Sequence, residues 1–423
     1  MRDFRRFYAG YATSLLGSSM STVAIAWAVL GSGANATGLG YVFAAAVVPQ
    51  VLLMAIAGAV ADRFGRRRVM LTADALRCAA QASLAAAVFA GRPALWVFVL
   101  LAWLEGTGEA FFMPALDALT VEIAPRDQLG NANALYGLAT SATRIAGPAL
   151  GGLLVALTGP GVVVAADAAS YAVSVLALSL LTMPGGTAGG MPGGTAGGTP
   201  GGTAAGRRAL WRDMAEGWTE FRSRTWLWVI VVQFGLFNLL AYAPFMVLGA
   251  VIADRTLGGA TAWGLILAAQ GGGSIVGGLA ILRARPRRPL VTATLGTFTF
   301  AGPLALLALG APAGAIAAAA AVSGVGLAVF GTLWDTALQQ HVPPAVLSRV
   351  SAYDWLGSVA LVPLGYALAG PLSGAIGVTT TMWLAAAWTV AGSAVALAVP
   401  SVRHLRAAPP KDPIPIATVS VRK

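Results

Sequence analysis

Long apolar blocks alternate with short charged or turn-forming segments from residue 8 to residue 400. A helix needs about 20 apolar residues to cross the hydrocarbon core of a bilayer, and the blocks divide into twelve stretches of that kind. Six are predicted at residues 8–30, 38–61, 69–90, 94–118, 133–157 and 161–182, and six more at 226–252, 260–282, 289–309, 313–336, 347–370 and 377–400. Residues 183–206 break the pattern with three copies of an eight-residue unit, MPGGTAGG, MPGGTAGG and TPGGTAAG, which offers no large apolar side chain but Met and reads as a flexible linker. After it, RRALWRDMAEGWTEFR sets Trp211, Met214, Ala215, Trp218 and Phe221 at helical spacing, with Arg207, Arg208, Arg212 and Arg222 on other positions. An amphipathic helix lying on the inner membrane surface is expected there. The chain therefore divides into an N-terminal six-helix half (1–182), a cytoplasmic linker (183–225), a C-terminal six-helix half (226–400) and a Pro-rich, basic tail (401–423) that is expected to be disordered.

Composition agrees with the pattern: 57% of the 423 residues are hydrophobic, 10% are charged, and the mean hydropathy is +0.76. That leaves too little polar surface for a soluble globule. The net charge of +11 would suggest nucleic acid in a soluble protein. Here 23 of the 27 Lys and Arg fall in segments on one side of the predicted membrane, two (Arg92, Arg255) fall on the other, and two (Arg77, Arg144) fall inside helices. Basic loops are retained in the cytoplasm, so both termini are placed there, in a multi-pass plasma-membrane protein with no nucleic-acid partner. The single cysteine, Cys78, excludes an intramolecular disulfide. The only lysines, Lys411 and Lys423, lie in the tail, which excludes a P-loop. With His341 and His404 as the only histidines, no enzyme site, cofactor or metal centre is expected.

The segment between the second and third blocks, GAVADRFGRRRVM at 58–70, packs one acid and four arginines into a short hinge. Gly58 and Gly65 permit close approach or positive φ, Asp62 can cap or pair, and Arg63, Arg66, Arg67 and Arg68 form a positive cluster. Residues Gly58, Asp62, Arg63, Gly65, Arg66 and Arg67 follow G-x-x-x-D-R-x-G-R-R, the loop signature of the major facilitator superfamily, and the chain resembles that family. The fifth block carries Gly147, Pro148, Gly151 and Gly152, which resemble the G-P-x-x-G-G motif of the family's exporters and which also read as a packing face. The runs FFMPALDAL, GNANAL, LQQHVPPAVLSRVSA and PLGYALAGPL look like the enterobactin-exporter and macrolide-efflux branch. The resemblance implies an all-α fold of twelve transmembrane helices in two six-helix halves, and a monomeric exporter that exchanges protons for a drug or other secondary metabolite. An importer or uniporter, and a non-transporting sensor on the same fold, are the alternative readings. Many drug exporters of the family carry an arginine in an R-x-x-x-G motif on helix four. Here the charged residue preceding Gly106 is Glu105.

A charged side chain at the bilayer centre costs about 2.5–3.5 kcal/mol on insertion scales, so each one needs a reason. Glu105 and Glu109 share a face of helix four, and Arg144 lies in helix five. They form either a structural ion pair with a spare acid or a proton or cation site, with Glu105 as carrier, Glu109 as second choice and Arg144 as partner. Asp167 in helix six is a further candidate. Asp74 and Arg77 are spaced for a local i,i+3 pair near the hinge, and Asp335 and Asp354 lie near the cytoplasmic ends of helices ten and eleven. Asp62, Arg66, Asp74 and Asp354 are grouped with the hinge as conformational gate residues. Trp27, Trp103, Phe234, Phe237, Asn238, Tyr242 and Gln270 are the candidate lining of a cavity for an aromatic or cationic drug. Deleting residues 187–204 is expected to leave transport intact, because a Gly-rich chain holds no fixed geometry. Loss of vesicle uptake in a normally inserted deletion protein would show a binding role for the repeat.

Overall fold

The computed structural model describes residues 2–123, 128–181, 216–284 and 286–407. The eight-residue repeat, the first part of the predicted linker helix (207–215) and the tail from 408 lie outside the described residues. All regular structure among the described residues is helical. The twelve spans are α1 (Arg2–Gly31), α2 (Ala36–Phe64), α3 (Arg66–Phe89), α4 (Leu95–Ile123), α5 (Leu129–Thr158), α6 (Pro160–Ser179), α7 (Thr225–Leu257), α8 (Ala260–Arg283), α9 (Pro289–Ala308), α10 (Ala313–His341), α11 (Pro344–Ile376) and α12 (Val378–Ala398). Eleven are apolar and long enough to cross a membrane by composition alone. The twelfth, α3, carries Arg66, Arg67, Arg68, Asp74 and Arg77, and the site is built around it.

Local chemistry explains the joints and breaks. Gly65 alone separates α2 from α3. Its φ of +89° turns the chain back while its N–H still bonds to the Ala61 carbonyl, a conformation that costs glycine little and other residues more. Gly159 and Gly377 join α5 to α6 and α11 to α12 in the same way. Gly58, by contrast, sits inside α2 with open space where a side chain would be, so the close approach anticipated for it is not made. Two spans are broken where the sequence predicts continuous helices. α9 turns at Thr299–Phe300, four residues before Pro303, and α11 turns at Ala360–Leu361, just before Pro363. A proline has no N–H for the carbonyl four residues back and crowds it. α7 contains two π-helical stretches, Asn238–Tyr242 and Ala253–Leu257. π-bulges inside α-helices recur at functional sites.

The packing is asymmetric across the membrane. On the face away from the arginine-rich loops, one hydrophobic core spans both halves, from Val23, Val29 and Phe98 to Phe245, Trp263 and Phe300. On the arginine-rich face there are two separate cores, one around Phe7, Met70 and Phe112 and the other around Trp226, Leu290 and Val350. The halves are thus joined at one face and splayed at the other. Small residues make the joined side possible, because a glycine lets a neighbouring backbone approach to contact distance. A Cβ on Gly264 would lie 2.3 Å from the Pro148 carbonyl oxygen, and one on Gly152 would lie 2.4 Å from that of Ala260. A Cβ on Gly40 would lie 2.1 Å from the Tyr366 oxygen. Gly147 and Gly151 face α1 instead, against Ser19 and Met20. The four-residue motif of α5 therefore serves two interfaces, one within its own half and one between the halves.

The described part of the linker helix, residues 216–223, packs on the start of α11 and keeps Trp218 48% exposed. Glu216 pairs with Arg349 at 2.7 Å, Phe221 is buried, and Trp218 and Phe221 both meet the Tyr353 ring.

Gly264→Leu should overpack the α5–α8 crossing by about 1–3 kcal/mol and collapse transport. Gly278→Leu on the same helix meets open space and should be silent. Thermal stability in detergent and vesicle uptake compare the two variants, and equal behaviour would contradict the close crossing.

Candidate functional site

Arg77 projects from α3 into the N-terminal half and is almost completely buried, with 6% of its side chain exposed. Helical spacing puts Asp74 one turn back, and the pair is made at 3.9 Å, as the local reading expects. The guanidinium also crosses to α4, where Nη2 meets Glu109 Oε2 at 2.6 Å and Glu105 Oε1 at 3.0 Å, and Nε donates to the same Glu105 oxygen at 3.2 Å. Glu105 and Glu109 therefore pair with Arg77, and the Arg144 partnership is corrected. Gly108 makes this reach possible, since a Cβ there would lie 2.4 Å from Arg77 Cγ. Gly106 meets the Ala46 backbone and seats α4 on α2. In EGTGE at 105–109 the acids hold the guanidinium, and the glycines admit its stem and the neighbouring helix.

The rest of the cage comes from α6. The Tyr171 ring lies under the guanidinium at 4.3 Å, a cation–π contact. Its hydroxyl donates to Glu105 Oε1 at 3.2 Å and shares a 2.7 Å hydrogen bond with Ser18. Ser174 Oγ donates to Asp74 Oδ2 at 2.5 Å, and Asp74 Oδ1 has no hydrogen-bond partner among the described residues. Asp167 is fully buried. Its Oδ1 accepts from Ser170 at 3.4 Å, Ser21 lies beside the carboxyl group, and Oδ2 makes no close hydrogen bond among the described residues. Three carboxyl groups thus share one guanidinium, and a fourth, Asp167, lies within its electrostatic reach. Glu105, Glu109, Asp167 and Arg77 line a cavity of about 290 Å³ enclosed mainly by the N-terminal half, with Met246 and Tyr366 contributed by the other half. No group of three or more His, Cys, Asp or Glu among the described residues is placed to hold a metal ion.

A second cavity, of about 630 Å³, lies between the halves and is lined from both. The first π stretch of α7 turns Asn238 and Tyr242 into it beside Phe234 and Phe237, and Gln270 reaches it from α8. Asn238 Nδ2 donates to the Ser358 carbonyl at 2.9 Å, which ties the π stretch to α11 just before its break. Phe234 stacks on Phe330 with centroids 4.8 Å apart. Arg144 lines this cavity and so stands apart from the carboxyl network, because its position on α5 faces the gap between the halves and not α4. Thr22 and Met246 line both cavities and form the wall between them.

Five of the seven predicted cavity residues are in place. Trp27 and Trp103 are not: Trp27 packs against the shared core, and Trp103 is 40% exposed on the outside of α4. The sequence reading missed Phe330, Trp334, Trp355, Ser19 and Thr22, which supply much of the remaining lining. It also treated Arg77 as a local partner only. The available signal was EGTGE itself, since a glycine between two membrane glutamates leaves room for a partner side chain.

The hinge residues act within their own half. Arg66 donates to the Ala118 carbonyl at 3.0 Å and lies 3.7 Å from Asp62, whose side chain is 72% exposed. Arg67 donates to the Leu178 and Ser179 carbonyls at 2.8 and 2.6 Å. Arg63 lies over the Phe64 ring at 5.6 Å. Asp354 Oδ2 accepts from Trp334 Nε1 at 3.1 Å within the C-terminal half. These contacts lie on the face where the two halves are splayed.

Comparison with known proteins agrees with this architecture. The multidrug efflux pump Tap of Mycobacterium tuberculosis is 29% identical over 409 residues, covering 94% of this chain and 93% of the relative. The macrolide efflux protein A of Streptococcus pyogenes is 21% identical over 409 residues, covering 95% and 96%. Among solved structures, a bacterial homologue of the iron transporter ferroportin in its inward-facing state superposes with a TM-score of 0.70 at 14% identity, covering 94% of this chain and 98% of that one. The nucleoside transporter NupG gives 0.68 at 13%, covering 94% and 99%. Sequence matching the Major Facilitator Superfamily extends over residues 7–360, and together with the twelve-helix, two-half architecture this shows that the chain belongs to that family of membrane transporters.

Proposed function

We propose that the chain is a plasma-membrane exporter of drug-sized amphipathic molecules, driven by proton exchange, with the central cavity as substrate site and the Arg77 network as proton site. The efflux activity in the names of its Tap and macrolide-efflux relatives supports the direction and the substrate size. A cavity of about 630 Å³ with aromatic walls and a few polar groups suits a drug-sized ligand. Taking the arginine-rich face as cytoplasmic, the splayed side opens inward, where an exporter loads. Arg92 and Arg255 then lie outside. One chain encloses both cavities, which supports a working monomer.

The observation that carries proton coupling is the charge count around Arg77. With Asp74, Glu105, Glu109 and Asp167 all ionised, one guanidinium would face four negative charges in a wall shielded from water. Like charges at close range in a low-dielectric site disfavour simultaneous ionisation, so the cluster needs protons to balance. Glu105 and Glu109 border the cavity, and Tyr171 links Glu105 to Ser18 in α1, which also contributes Thr22 to the shared wall. A ligand that moves α1 or Met246 changes the surroundings of the carboxyl groups, and that is how binding and protonation become linked.

In inverted vesicles with an imposed pH gradient, wild-type protein should concentrate amphipathic antibiotics such as norfloxacin, and a protonophore should abolish the uptake. Glu105→Gln should reduce gradient-driven uptake tenfold or more while leaving drug binding measurable. Concentrative, protonophore-sensitive uptake by Glu105→Gln would transfer the carrier role to Glu109 or Asp167. Arg77→Gln should do more damage, because it leaves several buried carboxyl groups without their cation.

A further inference from the structure

The central cavity is electrically dipolar in a way that neither half requires for its fold. Its lining contains one basic residue, Arg144, and one acidic residue, Asp354. Arg144 makes no ion pair or hydrogen bond among the described residues, and its side chain is exposed to the cavity. A guanidinium carries five N–H donors and is always charged. In Arg77 three carboxyl groups and a tyrosine ring use that capacity. In Arg144 it is left for whatever enters. Asp354 accepts from Trp334 and from the Ser358 side chain and has no basic partner among the described residues. Counted along the helices, Arg144 is 15 residues from the start of α5 and Asp354 is 10 from the start of α11, both at the open face. At 1.5 Å per residue the cation lies roughly 7 Å deeper. The stacked Phe234 and Phe330 rings, followed by Trp334, line the same cavity.

Resting on the reading of this cavity as the substrate site, we infer that it selects zwitterionic aromatic molecules. An anionic group, such as a carboxylate or enolate, pairs with Arg144 at depth. A protonated amine lies toward Asp354 and Trp334, and the ring system lies against the phenylalanines. A planar anion can take two parallel N–H bonds from the guanidinium, a geometry with more specificity than water offers. A purely cationic drug, by contrast, would bring like charge to Arg144. The aromatic or cationic ligand expected from the aromatic residues alone is narrowed accordingly.

Calorimetry on the purified full-length protein in detergent tests this with one skeleton in three charge forms: norfloxacin, its ethyl ester and its N-acetyl derivative. Wild type should bind norfloxacin at least tenfold tighter than either blocked form. Arg144→Gln should bring norfloxacin and its ester within about threefold of each other, and Arg144→Lys should restore part of the preference. Three results overturn the inference. These are an ester that binds wild type as tightly as the parent, no norfloxacin binding up to its solubility limit, or an Arg144→Gln protein that keeps the wild-type ratio or weakens all three forms equally. Gradient-driven uptake of the ester without norfloxacin would also reject this selectivity while leaving the exporter reading standing. A calorimetric preference of the expected kind, without gradient-driven uptake of any antibiotic, would reject the exporter reading and keep the selectivity.

Discussion

A guanidinium with 6% of its side chain exposed, inside a protein that has little water to offer it, constrains much of the N-terminal half. Arg77 is tolerable there only because Asp74, Glu105 and Glu109 neutralise it and the Tyr171 ring supports its flat face. Those partners come from three helices, so the ion fixes the rotation of α3, α4 and α6 about their axes. Gly108 must be small for the arginine stem to pass, and Gly106 for α4 to lie on α2. The same group that orders the half also creates its chemical tension, because it attracts more carboxyl groups than it can neutralise. Removing a partner from a buried ionic cluster is costly, and changing its proton content is the cheaper way for such a cluster to respond.

The transporter's two-sidedness follows from where small residues lie. Gly40, Gly152 and Gly264 bring backbones of opposite halves together on one face. On the other face each half closes around its own core. The breaks near Pro303 and Pro363 and the π stretches of α7 all fall in the C-terminal half, whereas the carboxyl network falls in the N-terminal one. On the proposed reading the labour is divided: the N-terminal half would hold the protons, and the C-terminal half would supply the bendable wall of the cavity. Thr22 and Met246, lining both cavities, are where the two meet.

Much of this was legible in the chain. Twelve spans, the hinge at 58–70 and the small-residue face of α5 follow from hydropathy and glycine spacing, because lipid imposes a length and a polarity that few soluble constraints mimic. Partner identity was harder. Arg77 and Arg144 are equally plausible partners for Glu105 until the rotation of α3 and α5 is known, and rotation is set by glycines on neighbouring helices. Trp27 and Trp103 show the same limit, since an aromatic residue suits core, lipid and cavity alike. The π stretch at Asn238–Tyr242 contains no residue that announces it. The linker helix was recognisably amphipathic, yet periodicity shows only that one face seeks an apolar partner. Its contact with Arg349, 133 residues from Glu216, is one that periodicity cannot show.

If the Arg77 cluster exchanges protons in response to the central cavity, ligand binding must release protons to the solution. Purified protein in weakly buffered detergent solution, mixed with saturating norfloxacin, should give a stoichiometric pH signal. A protein carrying both Glu105→Gln and Glu109→Gln should bind the drug and give none. An undiminished signal from that doubly substituted protein, or no signal from wild type at full occupancy across neutral pH, would contradict the account.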